Sequence, residues 1–518
     1  MFAHLFLLWY NLTDRLFLHL EEIMEIRYLS TRGGEKDVTA SQAIIKGLAE
    51  DGGLFVPNRF PKLDKTLDEL SEMDYREVAY QVMKLFLTDF SEEELRYCIR
   101  NAYDSKFDVE EIAPLAEVEK AYYLELFHGA TIAFKDMALS ILPYLMTVSA
   151  KKNKVDKEIV ILTATSGDTG KAALAGFADV PGTRIAVFYP KNGVSAFQEK
   201  QMVTQKGKNV KVIGITGNFD DAQTGVKQIF SDKEFAKEID EKGFQFSSAN
   251  SINIGRLIPQ VAYYVYSYAM LVKAGRIKAG DAINFTVPTG NFGNILAGYY
   301  AMKIGVPIKK LICASNDNKV LFDFFKTGVY DRNREFILTT SPSMDILISS
   351  NLERLIYFIA GEDCEKTKAL MTSLSKEGKY EITEAMADEM NRVFCAGYSS
   401  EEAVAKVIKS VYDATGYVLD PHTAVAANVY KEYVKNTGDD TTTVIVSTAS
   451  PFKFTRSVIE AIEGKTEGFK DFELIDKLAE MTGMTIPSAV EEVRTAPVLH
   501  DIVCDKEDMK NQIIDFLK

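Results

Sequence analysis

Glu125-Leu-Phe-His-Gly-Ala-Thr-Ile-Ala-Phe-Lys-Asp136 is the stretch around which the 518-residue chain is organised. Before it, Lys120-Ala-Tyr-Tyr-Leu-Glu-Leu-Phe127 reads as a buried strand. After it, Met137-Ala-Leu-Ser-Ile-Leu-Pro-Tyr-Leu-Met146 is apolar at helical spacing. Lys135 therefore sits near a strand-to-helix junction, beside Gly129, Thr131 and apolar Ile132, Ala133 and Phe134. Desolvation disfavours the ammonium form, so such a lysine has a lowered pKa and a nucleophilic amine that forms Schiff bases with aldehydes. By position alone a lysine at a helix start is most often a solvated surface charge. Two further stretches change that balance.

Thr163-Ala-Thr-Ser-Gly-Asp-Thr-Gly170 follows the apolar run Glu158-Ile-Val-Ile-Leu162 and opens a helix at Lys171. Hydroxyls, glycines and backbone N–H groups at a helix N-terminus suit an anion. Val287-Pro-Thr-Gly-Asn-Phe-Gly-Asn-Ile-Leu-Ala-Gly298 follows Ala282-Ile-Asn-Phe-Thr286 in the same way. Gly290 and Gly293 let the backbone approach a phosphate, and the helix dipole favours its charge. Either loop alone reads equally as an ordinary strand-to-helix turn. One lysine with two anion loops on separate units is a much rarer combination.

These stretches resemble pyridoxal phosphate (PLP) enzymes of the tryptophan-synthase-β fold type, and more closely the threonine synthase family. The resemblance runs from about residue 25 to the mid-460s. It includes Tyr28-Leu-Ser-Thr-Arg-Gly33, Gly47-Leu-Ala-Glu-Asp-Gly-Gly-Leu-Phe-Val-Pro57 and Asn250-Ser-Ile-Asn-Ile-Gly-Arg256. It continues through Asp420-Pro-His-Thr-Ala-Val425 and Ser447-Thr-Ala-Ser-Pro-Phe-Lys-Phe454. Several motifs in one order are far more specific than any of them singly. The resemblance implies an α/β fold of type II, with open, mostly parallel sheets, helices on both faces and an additional N-terminal α/β region. It implies a division into an N-terminal region (24–105), a large cofactor domain (106–137 and 249–518) and a smaller mobile domain (138–248).

Residue by residue, the resemblance makes Lys135 the Schiff-base lysine and the general acid/base once substrate has displaced it. Gly290, Asn291, Phe292, Gly293 and Asn294 are expected to cradle the cofactor phosphate. Many relatives carry aspartate at the position of Asn294, so a negative charge is missing there. Thr448 is the expected partner of the pyridine nitrogen. A hydroxyl leaves that nitrogen largely unprotonated and favours elimination and replacement chemistry. Ser450 and Phe452 depart from an Ala-His-Pro-Ala sequence seen in some relatives. Ser166, Gly167 and Thr169 are expected at the substrate carboxylate. Asp168 either bonds the cofactor's 3′ oxygen or caps the Lys171 helix. Asn250, Ser251 and Arg256, assisted by Asn253, resemble a substrate-phosphate site, because an arginine fork matches phosphate; the alternative for Arg256 is a structural ion pair. His128 either stacks near the cofactor or bonds backbone in the core. His422 reads as a helix-start residue.

The implied reaction is O-phospho-L-homoserine plus water giving L-threonine and phosphate, through aldimine chemistry with γ-elimination and then β-addition of water. The alternatives are a phospholyase or hydroxy-amino-acid dehydratase on the same cofactor, and a non-catalytic ligand-binding protein, which would be expected to lack the lysine. A nicotinamide-binding protein is disfavoured, since no G-x-G-x-x-G opens a strand–helix unit.

Composition agrees with this reading. Hydrophobic residues make up 47% and charged residues 26%, with a net charge of −14, which disfavours nucleic acid and anionic membranes as partners. The five scattered cysteines lack C-x-x-C spacing, and the five histidines form no metal-type pair. A cytoplasmic enzyme without a metal is expected, as a monomer or homodimer. Residues 1–23 hold the single tryptophan and an apolar run too short to span a bilayer. They read as an over-extended start with Met24 the initiator, or as an amphipathic helix packed on the body or a partner. Strands are expected near 122–127, 158–162, 184–188, 210–215, 282–287, 310–314 and 442–447. Helices are expected at 43–50 (capped by Thr39 or Ser41), 75–90, from Ser91 onward, 195–205 and 220–230. Asn351 is expected to cap the helix after it, Thr31 and Arg32 to act at most indirectly, and 469–518 to be a helical tail without chemistry.

Overall fold

The computed structural model describes residues 25–165 and 167–518. The expected extension at 1–23 and the site residue Ser166 lie outside the described residues.

Two parallel sheets carry the chain. The larger has six strands in the spatial order Phe394–Tyr398, Ile308–Ser315, Ile283–Pro288, Thr443–Ser447, Ala121–Glu125 and Leu115–Val118. All of its pairs are parallel except the last, where Leu115–Val118 runs antiparallel to Ala121–Glu125. Parallel sheets are covered by helices on both faces, so their strands are buried along their length. Ile283–Pro288 and Thr443–Ser447 are buried at every position for this reason, although Asn284 and Thr286 are polar. The smaller sheet runs Val503–Cys504, Val210–Ile215, Thr183–Pro190, Glu158–Ala164 and Phe244–Ser247, all parallel.

The smaller sheet corrects one expectation. The end of the chain, assigned with 249–518 to the larger domain, returns to this sheet instead. Val503 pairs with Gly214 and Cys504 with Ile215, while Met509 and Ile513 pack into the apolar layer of Val160, Leu162 and Ile213. A two-residue strand has too few positions to show a period, so the sequence gives no sign of it.

Local chemistry accounts for most boundaries. The first helix spans Ala40–Lys46 rather than 43–50, because Thr39 and Gln42 form a capping box and Gly47 ends it at φ 69°. Tyr75–Phe86 is four residues shorter than expected. Ser91 and Glu94 form the capping box of Glu92–Ala102, and Ser195 caps Ala196–Val203. Asn351, by contrast, makes no side-chain cap to Leu352–Ile359. Its amide donates instead to the Asn291 carbonyl at 2.9 Å and its oxygen accepts from Arg354. Among the described residues no helix is long and apolar enough to cross a membrane.

Candidate active site

Four connecting segments leave the carboxyl ends of parallel strands and converge, as ligand-binding segments of open α/β sheets do. Three follow Ala121–Glu125, Ile283–Pro288 and Thr443–Ser447 of the larger sheet; the fourth follows Glu158–Ala164 of the smaller.

The lysine segment is folded tightly on itself. The Asp136 carboxylate accepts the Thr131 N–H at 2.7 Å and the Thr131 hydroxyl at 2.6 Å. A Cβ on Gly129 would lie 2.6 Å from Asp136, so only glycine permits this turn. The segment is then stitched to the one after Thr443–Ser447. Phe134 N–H donates to the Thr448 carbonyl at 2.8 Å, and Ser450 N–H to the Ile132 carbonyl at 3.0 Å. Thr448 is buried, and its N–H reaches the Thr423 hydroxyl at 3.3 Å.

The buried Lys135 amine stands 2.7 Å from Ser343 Oγ and 3.3 Å from Asp168 Oδ2. Burial pulls its pKa below the ordinary lysine value. Asp168 opposes that shift, while the positive charges of Lys453 and Arg256 add to it. Asp168 is the hub of the site. Its Oδ1 meets Lys453 Nζ at 3.1 Å and Gln198 Nε2 at 3.0 Å, and its Oδ2 accepts the Ser343 hydroxyl at 3.0 Å. Burial alone would raise the carboxyl pKa. The positive charges of Lys453 and Lys135 hold it well below the usual carboxylate range.

Of the two readings of Asp168, helix capping is overturned. Asp168–Phe177 has no side-chain cap, and the carboxylate points to the lysines. Gly167 is needed here at φ 136°, where a Cβ would lie 2.6 Å from the Gln198 side chain. Its N–H, expected to face a substrate carboxylate, is already held by Thr165 Oγ1 at 3.0 Å. Thr169 lies half-buried on the first turn of the same helix.

The segment expected to cradle a phosphate turns on Phe292, which takes the left-handed conformation at φ 63°. Its ring is buried against Phe325 and Phe394, so only its backbone faces the segment. Gly290 has no room for a side chain, since a Cβ would lie 2.5 Å from the Ser343 carbonyl. Gly293 opens the helix Gly293–Ile304, and nothing comes within 3.5 Å of where its Cβ would be. Asn291 is exposed, and its carbonyl is tied down by Asn351. Asn294 Oδ1 accepts the hydroxyls of Tyr263 and Tyr264 at 2.8 and 2.7 Å, while its Nδ2 is buried without a hydrogen-bond partner. An orphaned donor costs free energy unless something accepts from it. In the first turn of a helix, where the dipole favours an anion, an anionic oxygen would meet that requirement.

Arg256 lies on the first turn of Ile254–Lys273. One guanidinium nitrogen donates to the Ala249 carbonyl at 3.1 Å, and Nε is buried without a partner. Burial lowers its pKa to about 10, which leaves it charged at neutral pH. No carboxylate pairs with it among the described residues, so the ion-pair alternative is not what is found. Asn253 departs from its expected role. It caps this helix through Oδ1 to Gly255 N–H, and its amide hydrogens go to the Ile44 and Ser248 carbonyls. With its amide fully committed, Asn253 positions Arg256 instead of meeting a ligand. Asn250 is exposed and Ser251 half-buried in the turn before it.

Both histidines do more than expected. His128 does not bond backbone through its ring nitrogens. It lies between Asp108 Oδ1 at 2.7 Å and Glu125 Oε2 at 2.9 Å. Burial would lower its pKa, but these two carboxylates raise it to about 9. His422 does begin the helix Pro421–Thr437, where Asp420 accepts its N–H and meets its Nδ1 at 2.8 Å. In addition its Nε2 accepts the Ser343 N–H at 3.2 Å. Thr31 and Arg32 both bond Glu353.

Sequence reasoning missed Ser343, Lys453 and Gln198 as site residues. Lys453 carried a signal: a lone cation in the otherwise uncharged Ser450-Pro-Phe-Lys-Phe454, just after a buried strand. Ser343 lies in Ser341-Pro-Ser-Met-Asp345, within a stretch that resembles the same family, but nothing in it points to the lysine, and Gln198 carried no signal.

Comparison with known proteins agrees with this geometry. Residues 108–449 match the family model of pyridoxal-phosphate-dependent enzymes. Residues 27–103 match the threonine synthase N-terminus, and 423–501 the threonine synthase C-terminal region. The chain is 40% identical over 460 residues to threonine synthase-like 1 of Pongo abelii, covering 86% of this chain but only 61% of that relative's length. It is 36% identical over 474 residues to threonine synthase of Schizosaccharomyces pombe, covering 86% and 90% respectively. The crystal structure of PLP-bound threonine synthase from Brucella melitensis superposes with a TM-score of 0.85 at 33% identity, covering 95% of this chain and all of that one. Matched along nearly its whole described length, the chain belongs to the threonine synthase family of PLP-dependent enzymes.

Proposed function

We propose that the protein converts O-phospho-L-homoserine and water to L-threonine and phosphate. The observation that carries the reading is Arg256: a buried guanidinium with an unpaired nitrogen, near enough to Lys135 to depress its pKa. An uncompensated buried cation beside a nucleophilic amine suits a substrate with an anionic group a few bonds from its reacting carbon.

PLP, held by the backbone from Gly290 to Gly293 and by Asn294, would supply an aldehyde for the Lys135 amine and a conjugated ring that accepts electrons from the substrate's α carbon. Thr448 would partner its ring nitrogen through the hydroxyl. Lys135, once free, removes the α proton and then a β proton, and returns a proton to the α carbon after water has added at Cβ. A buried amine of lowered pKa can both take and give protons near neutral pH. Arg256 binds the phosphate group and holds it as it leaves Cγ, with Asn250 and Ser251 beside it. Thr169, on the first turn of Asp168–Phe177, would meet the substrate carboxylate.

The same reading makes the protein a cytoplasmic monomer or homodimer acting on a small molecule, without nucleic-acid or membrane partners. Five free cysteines and the net charge of −14 support it.

The test is product identification by NMR after incubating purified, PLP-loaded protein with O-phospho-L-homoserine in D₂O. Threonine deuterated at Cα with equimolar phosphate is expected. 2-Oxobutyrate with phosphate would replace this reading by a phospholyase. Lys135→Ala is expected to abolish threonine formation, and substantial turnover by that variant would refute the role of the lysine.

A further inference from the structure

We propose that Ser343 is a further catalytic residue, whose hydroxyl accepts one hydrogen of the Lys135 amine and thereby fixes the direction of its lone pair. The inference rests on the reading of Lys135 as the working amine and adds what controls it.

The argument is one of hydrogen-bond capacity. A carboxylate only accepts, whereas a serine hydroxyl has one hydrogen to give and two lone pairs. Ser343 Oγ stands 3.0 Å from Asp168 Oδ2 and 2.7 Å from Lys135 Nζ. Its single hydrogen goes to Asp168, so toward Lys135 it can only accept. A neutral amine has two hydrogens and one lone pair. One hydrogen goes to Ser343 Oγ, and the other toward Asp168 Oδ2 at 3.3 Å. Both hydrogens are then directed to the same side, and the lone pair is left on the other.

Each member of this triangle is held from outside. Asp168 cannot turn, because Lys453 and Gln198 grip its other oxygen. Ser343 is pinned through its N–H by His422, which is itself held by Asp420. Its carbonyl packs where a Cβ on Gly290 would intrude, so the cofactor-phosphate segment and the lysine's partner are seated against each other. Ser343 is half-buried in the short turn Pro342–Met344, and a hydroxyl there has no structural demand on a lysine.

The experiment compares wild type, Ser343→Ala, Ser343→Thr and Lys135→Ala as full-length proteins. Apoenzyme is mixed with PLP, and capture is followed by its absorbance change across a range of pH; steady-state kinetics of the loaded enzymes follow. For Ser343→Ala we expect capture and kcat each to fall by about tenfold to a hundredfold, the loss of one hydrogen bond to a reacting group. KM should change little, and Ser343→Thr should recover most of both rates. Far-UV circular dichroism of Ser343→Ala should match wild type, and melting should fall by no more than the loss of one hydrogen bond to the Asp168 carboxylate accounts for. Capture by Ser343→Ala at the wild-type rate with the wild-type pH profile would overturn the proposal, as would failure of Ser343→Thr to recover. Capture needs no amino-acid substrate. A lyase product would therefore sink the proposed reaction and leave Ser343 standing, while normal capture by Lys135→Ala would sink the lysine reading itself.

Discussion

Lys453→Met removes the ammonium that sits 3.1 Å from Asp168 Oδ1 and donates to the Thr131 carbonyl at 2.9 Å. Two unit charges at that separation attract by about 5 kcal/mol at an effective dielectric of 20. Part of this disappears from the balance, since the variant no longer buries an ammonium. Removing one partner of a buried pair typically costs about 3–5 kcal/mol, because the other charge is left uncompensated. Asp168 keeps Lys135, Ser343 and Gln198, which places the expected loss near the lower end, about 3 kcal/mol. The pH dependence moves with it. Lys453 repels a positive charge on Lys135, so its removal raises the lysine pKa toward the ordinary value. The acid limb of kcat, which reports the base in the enzyme–substrate complex, shifts to higher pH. Urea unfolding of the two PLP-saturated proteins, followed by circular dichroism, gives the first quantity, and kcat against pH the second. A stability loss below about 1 kcal/mol, far under the range for a broken buried pair, together with an unmoved acid limb would refute the reasoning.

Arg256→Gln removes the charge and fork expected to hold the substrate phosphate. Charge-assisted hydrogen bonds of roughly 1.5–3 kcal/mol translate into a KM for O-phospho-L-homoserine raised about tenfold to a hundredfold, with PLP affinity unchanged; a KM within twofold of wild type would remove Arg256 from the site. Gly290→Ala places a Cβ 2.5 Å from the Ser343 carbonyl. The overpacking should cost about 1–3 kcal/mol and slow PLP capture, and a variant as stable and as fast as wild type would show that Ser343 is not seated against this segment. His128 has a folded pKa of about 9 against an ordinary 6.5, so its stabilisation is fully present below pH 6.5 and is lost as pH rises through 9. Melting temperature should fall more steeply over that window in wild type than in His128→Gln; parallel curves would contradict the ion-pair geometry.

Much of this fold is legible along the chain because its causes are local. Ile159–Leu162 and Val444–Val446 are short apolar runs, and such runs are the mark of strands buried on both faces. Thr39, Ser91 and Ser195 announce helix starts by chemistry that reaches only three residues onward. Lys135 could be singled out from its junction and its apolar neighbours, and its two companion segments from their glycines and hydroxyls. What the lysine does with its protons is decided elsewhere. Ser343 comes to it across 208 residues of sequence, and Lys453 reaches Thr131 across 322. The direction of a pKa shift depends on charges within a few ångströms, whatever their place in the chain, and no pattern of residue types records those distances. The same holds for Asn253, whose amide is spent on two carbonyls and a cap, and for Val503–Cys504, which takes the edge of a sheet formed some 290 residues earlier. Sequence fixes which segments become strands, helices and turns, because those depend on neighbours in the chain. Tertiary packing fixes which oxygens and ammonium groups face one another, because that depends on neighbours in space.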